Sequence, residues 1–167
     1  MKAALANTPA TSTRRFIAEE NTDHLAPVLA ELREEPAGFT LDVVGEATVS
    51  DKEASAMHKR YLDLLQRLAP VAKSWSYLPQ IDGVSGSPIP RINLSVKVTS
   101  LHARFDPLNP DTKLGVRDKL RVLFREASHL GAALTLDMEQ YAYKDLTLEI
   151  FRGVLEEKEF HQKPQAS

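Results

Sequence analysis

Two rhythms alternate along this chain. Leu25, Val28, Leu29 and Leu32 recur at helical spacing after Asn21, with Pro27 tolerable in a first turn, and Pro36 and Gly38 end the run. Residues 39–45 (FTLDVVG) then change to a period of two, which predicts a strand. Ser50 to Glu53 has the S-x-x-E form of a capping box, and Met57, Tyr61, Leu64, Leu65 and Leu68 mark one apolar helix face as far as Pro70. Residues 70–90, with Pro79, Gly83, Gly86, Pro88 and Pro90, read as a long connection in which Trp75 and Tyr77 pack down as an anchor. A second strand is expected at 91–98 (RINLSVKV) and turns at Asp106-Pro107 and Asn109-Pro110. A helix follows over 113–130, with Leu120, Leu123, Phe124 and Ala127 inward and Gly131 as a left-handed cap. A third strand at 132–138 (AALTLDM) leads to a helix at 145–156 carrying Leu146, Ile150, Phe151 and Val154. Residues 1–20 and 161–167 lack periodicity and read as disordered tails on one domain at 21–160.

Strands separated by helices imply an α/β fold with parallel strands and right-handed crossovers. Each strand has one apolar and one polar face. Thr40, Asp42 and Val44 oppose Phe39, Leu41 and Val43; Arg91, Asn93, Ser95 and Lys97 oppose Ile92, Leu94, Val96 and Val98; Thr135 and Asp137 oppose Leu134, Leu136 and Met138. A doubly wound sheet buries both faces and favours strands that are apolar throughout. A barrel carries helices outside only, and its inner face admits polar groups where a site opens at the C-terminal rim. Asp42, Lys97 and Asp137 would then meet at one rim. A solvated face of an open sheet gives the same alternation, so that reading stays open beside the barrel and the doubly wound sheet. Neither G-x-G-x-x-G nor G-x-x-x-x-G-K-[ST] occurs, which weakens the nucleotide-binding doubly wound option.

Composition narrows the function classes. The formal charge is −2 and Lys and Arg form no block, so nucleic acid is not an expected partner. Without cysteine there is no disulfide, thiolate metal site or Cys nucleophile, and a reducing, cytoplasmic location is compatible. No apolar run approaches the roughly 20 residues that span a bilayer. His24, His58, His102, His129 and His161 show no metal spacing and read as surface or loop residues. The glutamates at 156–159 read as a solvated helix end.

Three segments in order resemble one family. FTLDVVGEATVSDKEA at 39–54, RINLSVKVTSLHARFDP at 91–107 and LDMEQYAYKDLTLEIF at 136–151 are similar to the first three strands of proline dehydrogenase domains, in the style of the bifunctional proline utilisation flavoenzymes. The resemblance implies a distorted (βα)8 barrel that binds FAD, oxidises L-proline to 1-pyrroline-5-carboxylate and passes electrons to a quinone, with peripheral membrane association in the complete enzyme. It implies that Lys97 helps hold the substrate carboxylate and that Asp137 is an active-site residue. Glu139 falls on another carboxylate of that motif. Glu46 matches an acidic residue of a mobile loop, and Asp42 matches the first strand's aspartate. The family pattern stops near Phe160, whereas a single barrel takes about 250 residues. The expectation is therefore a partial (βα)8 TIM-type barrel of three parallel βα units. FAD binding is doubtful for the chain alone. Besides the enzyme, two readings stay open: an inactive truncated remnant, and a half-barrel interaction module that pairs its sheet edges with a complementary half or a second copy.

Overall fold

The helices begin and end where local chemistry satisfies their free backbone groups. In a computed structural model that describes residues 22–45, 48–84 and 87–160, helix α1 spans Thr22–Glu34. The expected tails at 1–20 and 161–167, and Glu46, lie outside the described residues. Pro27 falls in the second turn of α1, not the first. Helix α2 (Asp51–Lys73) opens on the expected capping box. Ser50 Oγ accepts from the Glu53 amide at 3.3 Å, while the Glu53 carboxylate accepts from the Val49 amide at 2.9 Å. Pro70 does not end α2, which continues to Lys73. Interior proline costs about 3 kcal/mol, and here the burial of Leu68, Ala69 and Ala72 on either side of it holds the helix together. Helix α3 (Pro110–Leu130) starts earlier than the periodicity indicates. Asn109 caps it by accepting from the Asp111 amide at 2.9 Å, and Pro110 fits a first turn whose amides have no intrahelical partner. Gly131 closes it at φ 73°, the left-handed geometry that favours glycine. Helix α4 spans Lys144–Leu155 after a 3-10 turn at Tyr141–Tyr143.

Strand β1 is short (Leu41–Asp42). The 70–90 connection holds a hairpin that the sequence did not reveal, β2 (Gly83–Val84) against β3 (Ser87–Pro88). Strands β4 (Asn93–Lys97) and β5 (Ala133–Asp137) have five residues each. The main sheet is parallel, in the order β1-β4-β5, with Leu41 opposite Leu94, Asp42 opposite Ser95 and Lys97 opposite Asp137. The second expected strand ends early because Val98–Leu101 winds into a 3-10 turn. The architecture is thus an α/β fold with a three-stranded parallel sheet and helices.

The alternation of faces is as expected. Val43, Leu94, Val96 and Leu134 join one core with Tyr61, Leu65 and Leu68 of α2, Leu120 and Leu123 of α3, and Ile150 and Val154 of α4. Met138 departs from it, lying just past β5 and 41% exposed, and so does Arg91, which turns to Asp82. On the other face, Asn93 bridges neighbouring strands by donating to Thr40 Oγ1 at 3.1 Å and accepting from Thr135 Oγ1 at 3.0 Å.

Three further sequence expectations change. His58 is not a surface or loop histidine: it is half-buried, its Nε2 lies 3.1 Å from the Lys119 carbonyl of α3, and burial pushes its pKa down. The glutamates after α4 are not merely solvated. Glu157 pairs with Arg121 at 2.7 Å and Arg117 at 2.9 Å, and Glu159 with Arg125 at 2.6 Å, which ties the end of α4 to α3. Hydrogen bonds from Arg121 lead in drawing the Glu157 pKa down to about 2. Finally, Trp75 anchors the long connection but Tyr77 does not, being 60% exposed.

That anchor contains a buried ion cluster. Arg33 grips Asp82 with two hydrogen bonds of 2.9 and 2.7 Å, and stacks 5.1 Å over the Trp75 ring, which meets Phe39 edge-on. Arg91, expected on the polar face of the second strand, instead reaches Asp82 at 3.1 Å and donates to the carbonyls of Ala72 and Trp75 at the end of α2 and just beyond it. Asp82 is 2% exposed and also accepts from the Leu78 amide. The Arg33 hydrogen bonds lead in holding its carboxyl below the usual range. A depressed carboxylate contributes stability above its unfolded pKa and loses it as pH falls through the folded value. Asp82→Asn is expected to lower unfolding free energy by about 3–5 kcal/mol, the usual cost of breaking a buried pair, and to reduce the acid sensitivity of the remainder. Urea midpoints of both proteins between neutral and acid pH check this.

Candidate active site

Parallel strands present residues of one parity on one face, so the last residues of β4 and β5 are set side by side. Lys97 ends β4 and Asp137 ends β5, directly opposite each other in the register. Asp42 ends β1 opposite Ser95, two residues short of Lys97, and the long lysine stem covers the offset. Lys97 Nζ lies 3.0 Å from Asp42 Oδ1, 3.0 Å from Asp137 Oδ2 and 3.3 Å from Glu139 Oε1. The residues at the ends of all three strands thus converge on one ammonium, with Glu139 reaching back from the loop after β5.

Burial within this group is uneven. The Lys97 side chain is 9% exposed, while those of Asp42, Asp137 and Glu139 are 55%, 37% and 31% exposed. The cation is therefore the dry member and the carboxylates form a wet, acidic mouth around it. Burial by itself pushes the Lys97 ammonium down, but hydrogen bonds to Asp137, Asp42 and Glu139 outweigh it, so the pKa is raised overall. Three acceptors also match the three N–H bonds of an ammonium. A ligand carboxylate reaches Nζ by displacing one of them, whereas a ligand ammonium meets the mouth directly. Among the described residues no cluster of metal-ligating side chains forms.

Of the residues singled out from sequence, Asp42, Lys97, Asp137 and Glu139 come together, and Glu46 lies outside the described residues. Its loop is framed on both sides. Gly45 has φ 154°, a conformation that L side chains rarely adopt, and a Cβ there would also push aside the flexible tip of Met57, 2.6 Å away. On the far side Thr48 Oγ1 donates to the His102 carbonyl at 3.0 Å, and the Arg104 amide donates to the Thr48 carbonyl at 2.9 Å. The sequence reading missed Tyr61, whose hydroxyl accepts from the Lys97 amide at 3.2 Å. The available signal was a single polar tip in a stripe otherwise made of Met57, Leu64, Leu65 and Leu68.

A raised lysine pKa contributes stability that is complete below the ordinary lysine value and is lost as pH rises through the folded value. The wild-type chain is therefore expected to lose stability in strongly alkaline solution through Lys97. Lys97→Met lacks that component. At neutral pH it is expected to be less stable by about 1–3 kcal/mol, between the worth of an exposed pair and the cost of breaking a buried one, because its partners are half in water. Urea midpoints against pH for the two proteins provide the check.

Known proteins resemble this chain in sequence and in fold. The family model for proline dehydrogenase matches residues 26–166. Proline dehydrogenase 1 of Bacillus subtilis subsp. natto is 27% identical over 146 residues, which cover 87% of this chain and 41% of that protein. The chain thus spans less than half the length of this curated relative. Proline utilization A of Bdellovibrio bacteriovorus, in a crystal structure of the form inactivated by N-propargylglycine, superposes with a TM-score of 0.86 at 38% identity. That match covers 92% of this chain and 16% of the other. A Bradyrhizobium japonicum proline utilization A mutant shares the fold at a TM-score of 0.70 and 17% identity, over 92% of this chain and 14% of its own. With most of its length matched by the family model, the chain belongs to the proline dehydrogenase family.

Proposed function

We propose that this chain supplies the opening βα units of a (βα)8 proline dehydrogenase barrel, and that the Lys97 rim forms part of the site where L-proline is oxidised to 1-pyrroline-5-carboxylate. One observation carries the reading: Lys97, Asp42, Asp137 and Glu139 meet at the C-terminal ends of three parallel strands, where barrel enzymes place their chemistry. Proline is a zwitterion, and the cluster offers a partner to each of its charges. The acidic mouth suits the ring ammonium. Lys97 suits the carboxylate once Glu139 or Asp42 gives way. Asp137, opposite Lys97 in the register and 3.0 Å from its ammonium, helps keep that ammonium charged and oriented.

FAD is the cofactor expected of this family, and when bound it would accept the hydride that proline loses before electrons pass to a quinone. The residues here fit only part of it. Three carboxylates around one engaged ammonium repel a diphosphate, so this cluster is suited to the ring end and does not hold the phosphates. None of the described helices that follow the three strands begins on a glycine-rich loop; α2 starts from Ser50, α3 from Asn109 and α4 from Tyr143.

The working location is the cytoplasm, with peripheral association at a membrane where the quinone lies. No described helix is long and apolar enough to cross a membrane. A second reading is favoured by the sheet itself. Among the described residues, the outer edges of β1 and β5 have no strand partner, and such edges recruit further strands. A complementary barrel half or a second copy of this chain would cover them, with or without catalysis.

The decisive measurement is steady-state oxidation of L-proline with an artificial electron acceptor, by the flavin-loaded enzyme that includes this chain. Removing a charge-assisted hydrogen bond from a desolvated site costs about 1.5–3 kcal/mol. Lys97→Met is therefore expected to lower kcat/KM by about tenfold to more than a hundredfold, mainly through KM. Near-normal kcat/KM in a folded, flavin-loaded Lys97→Met enzyme overturns the reading. Asp137→Asn separates the roles: if Asp137 only supports the fold, the urea midpoint falls and proline affinity persists, whereas weaker affinity shows that it orients Lys97 for the substrate.

A further inference from the structure

Lys97 is the last residue of β4, and the chain turns into the 3-10 segment Val98–Leu101 immediately after it. A lysine at such a junction has two loose ends, a long side chain and a backbone leaving its ladder. The structure closes the second with a ring of hydroxyls. The Lys97 amide donates to Tyr61 Oη at 3.2 Å. Ser100 Oγ donates to the Lys97 carbonyl at 2.7 Å. Tyr61 Oη and Ser100 Oγ lie 3.3 Å apart. Because the serine hydrogen is committed to the Lys97 carbonyl, the remaining bond runs from the Tyr61 hydroxyl to Ser100 Oγ. Every hydrogen then has one acceptor, and the circuit begins and ends on the same residue.

Both hydroxyl residues are fully buried: Tyr61 and Ser100 are each 0% exposed. Burial raises the Tyr61 pKa, which keeps the phenol neutral and able to donate. The ring of Tyr61 lies in the core, so its place in α2 relative to the sheet is set by apolar packing, and the hydroxyl transmits that place to the Lys97 backbone. We infer that Tyr61 and Ser100 are positioning residues that fix the backbone of Lys97, and through it the point at which its ammonium meets Asp42, Asp137 and Glu139.

This inference rests on the reading of Lys97 as a substrate-binding residue, and it extends the site to two side chains that touch no ligand. Its worth to a reaction follows from geometry. An ammonium that must bridge two strands and exchange an acceptor for a ligand does so from a fixed anchor, since misplacement of about 1 Å costs on the order of a hundredfold in rate.

The test uses the full chain, with exchange of the Lys97 ammonium protons with water measured by nitrogen-15 NMR at neutral pH and low temperature. The guanidinium protons of Arg33, bound to Asp82 near the start of β4, serve as the internal reference for general loosening. Tyr61→Phe keeps the ring and removes the hydroxyl; Ser100→Ala breaks the circuit at its other member. Each variant is expected to speed Lys97 exchange twofold or more relative to Arg33, with Ser100→Thr restoring the wild-type rate. Where Tyr61→Phe does not fold, Ser100→Ala decides alone. A change below twofold, or one matched at Arg33, overturns the inference. Proline turnover takes no part in this measurement. Normal kinetics in Lys97→Met would remove the substrate role and leave the clamp, whereas unmoved exchange would remove the clamp and leave the substrate role.

Discussion

Lys97 Nζ sits 3.0 Å from carboxylates at the ends of β1 and β5, the strands that flank its own, and its side chain is nearly dry. That interaction constrains much of the molecule. Strand β1 pairs with β4 through only two residues, too few for the ladder alone to set where it ends. Beside the Asn93–Thr40 hydrogen bond, the ammonium supplies a further attachment, from Lys97 to Asp42. An unpaired charge at this depth is costly, so register, strand ends and site geometry are coupled. Shifting β4 by one residue would turn Lys97 into the apolar core and Val96 into the acidic mouth.

The opposite end of the sheet is held by a second set of charges with a different character. Arg33, Asp82 and Arg91 are largely enclosed, and they satisfy backbone carbonyls at Ala72, Trp75 and Ser76 as well as one another. Asp82 faces two guanidinium groups and is buried, a balance that suits a fixed support. At the rim the balance is reversed, with one dry cation facing three wet carboxylates. Exposed carboxylates can exchange partners with a ligand at little desolvation cost. The two ends thus differ in what they do because they differ in which charge is in water.

What the sequence determined by itself was the alternation of rhythms. Period-two runs gave Asp42, Lys97 and Asp137 a common face, since backbone geometry sends alternate side chains to opposite sides whatever lies around them. Helix starts at Ser50 and the stop at Gly131 were equally legible, because caps are local hydrogen bonds within a few residues. The three segments that resemble proline dehydrogenase cover these same strands. Tertiary structure decided what depends on distant partners. Pro70 stays within a helix because residues far along the chain bury its neighbours. Arg91 leaves the polar face because Asp82 lies behind it. His58 and Glu157 were read as solvent-facing and instead bind α3, since a polar residue's period does not reveal that another helix approaches. Tyr61 looked like one more apolar residue of a stripe. Its hydroxyl acquired a role only when α2 was laid against the end of β4, a contact between residues 36 apart that no local pattern encodes.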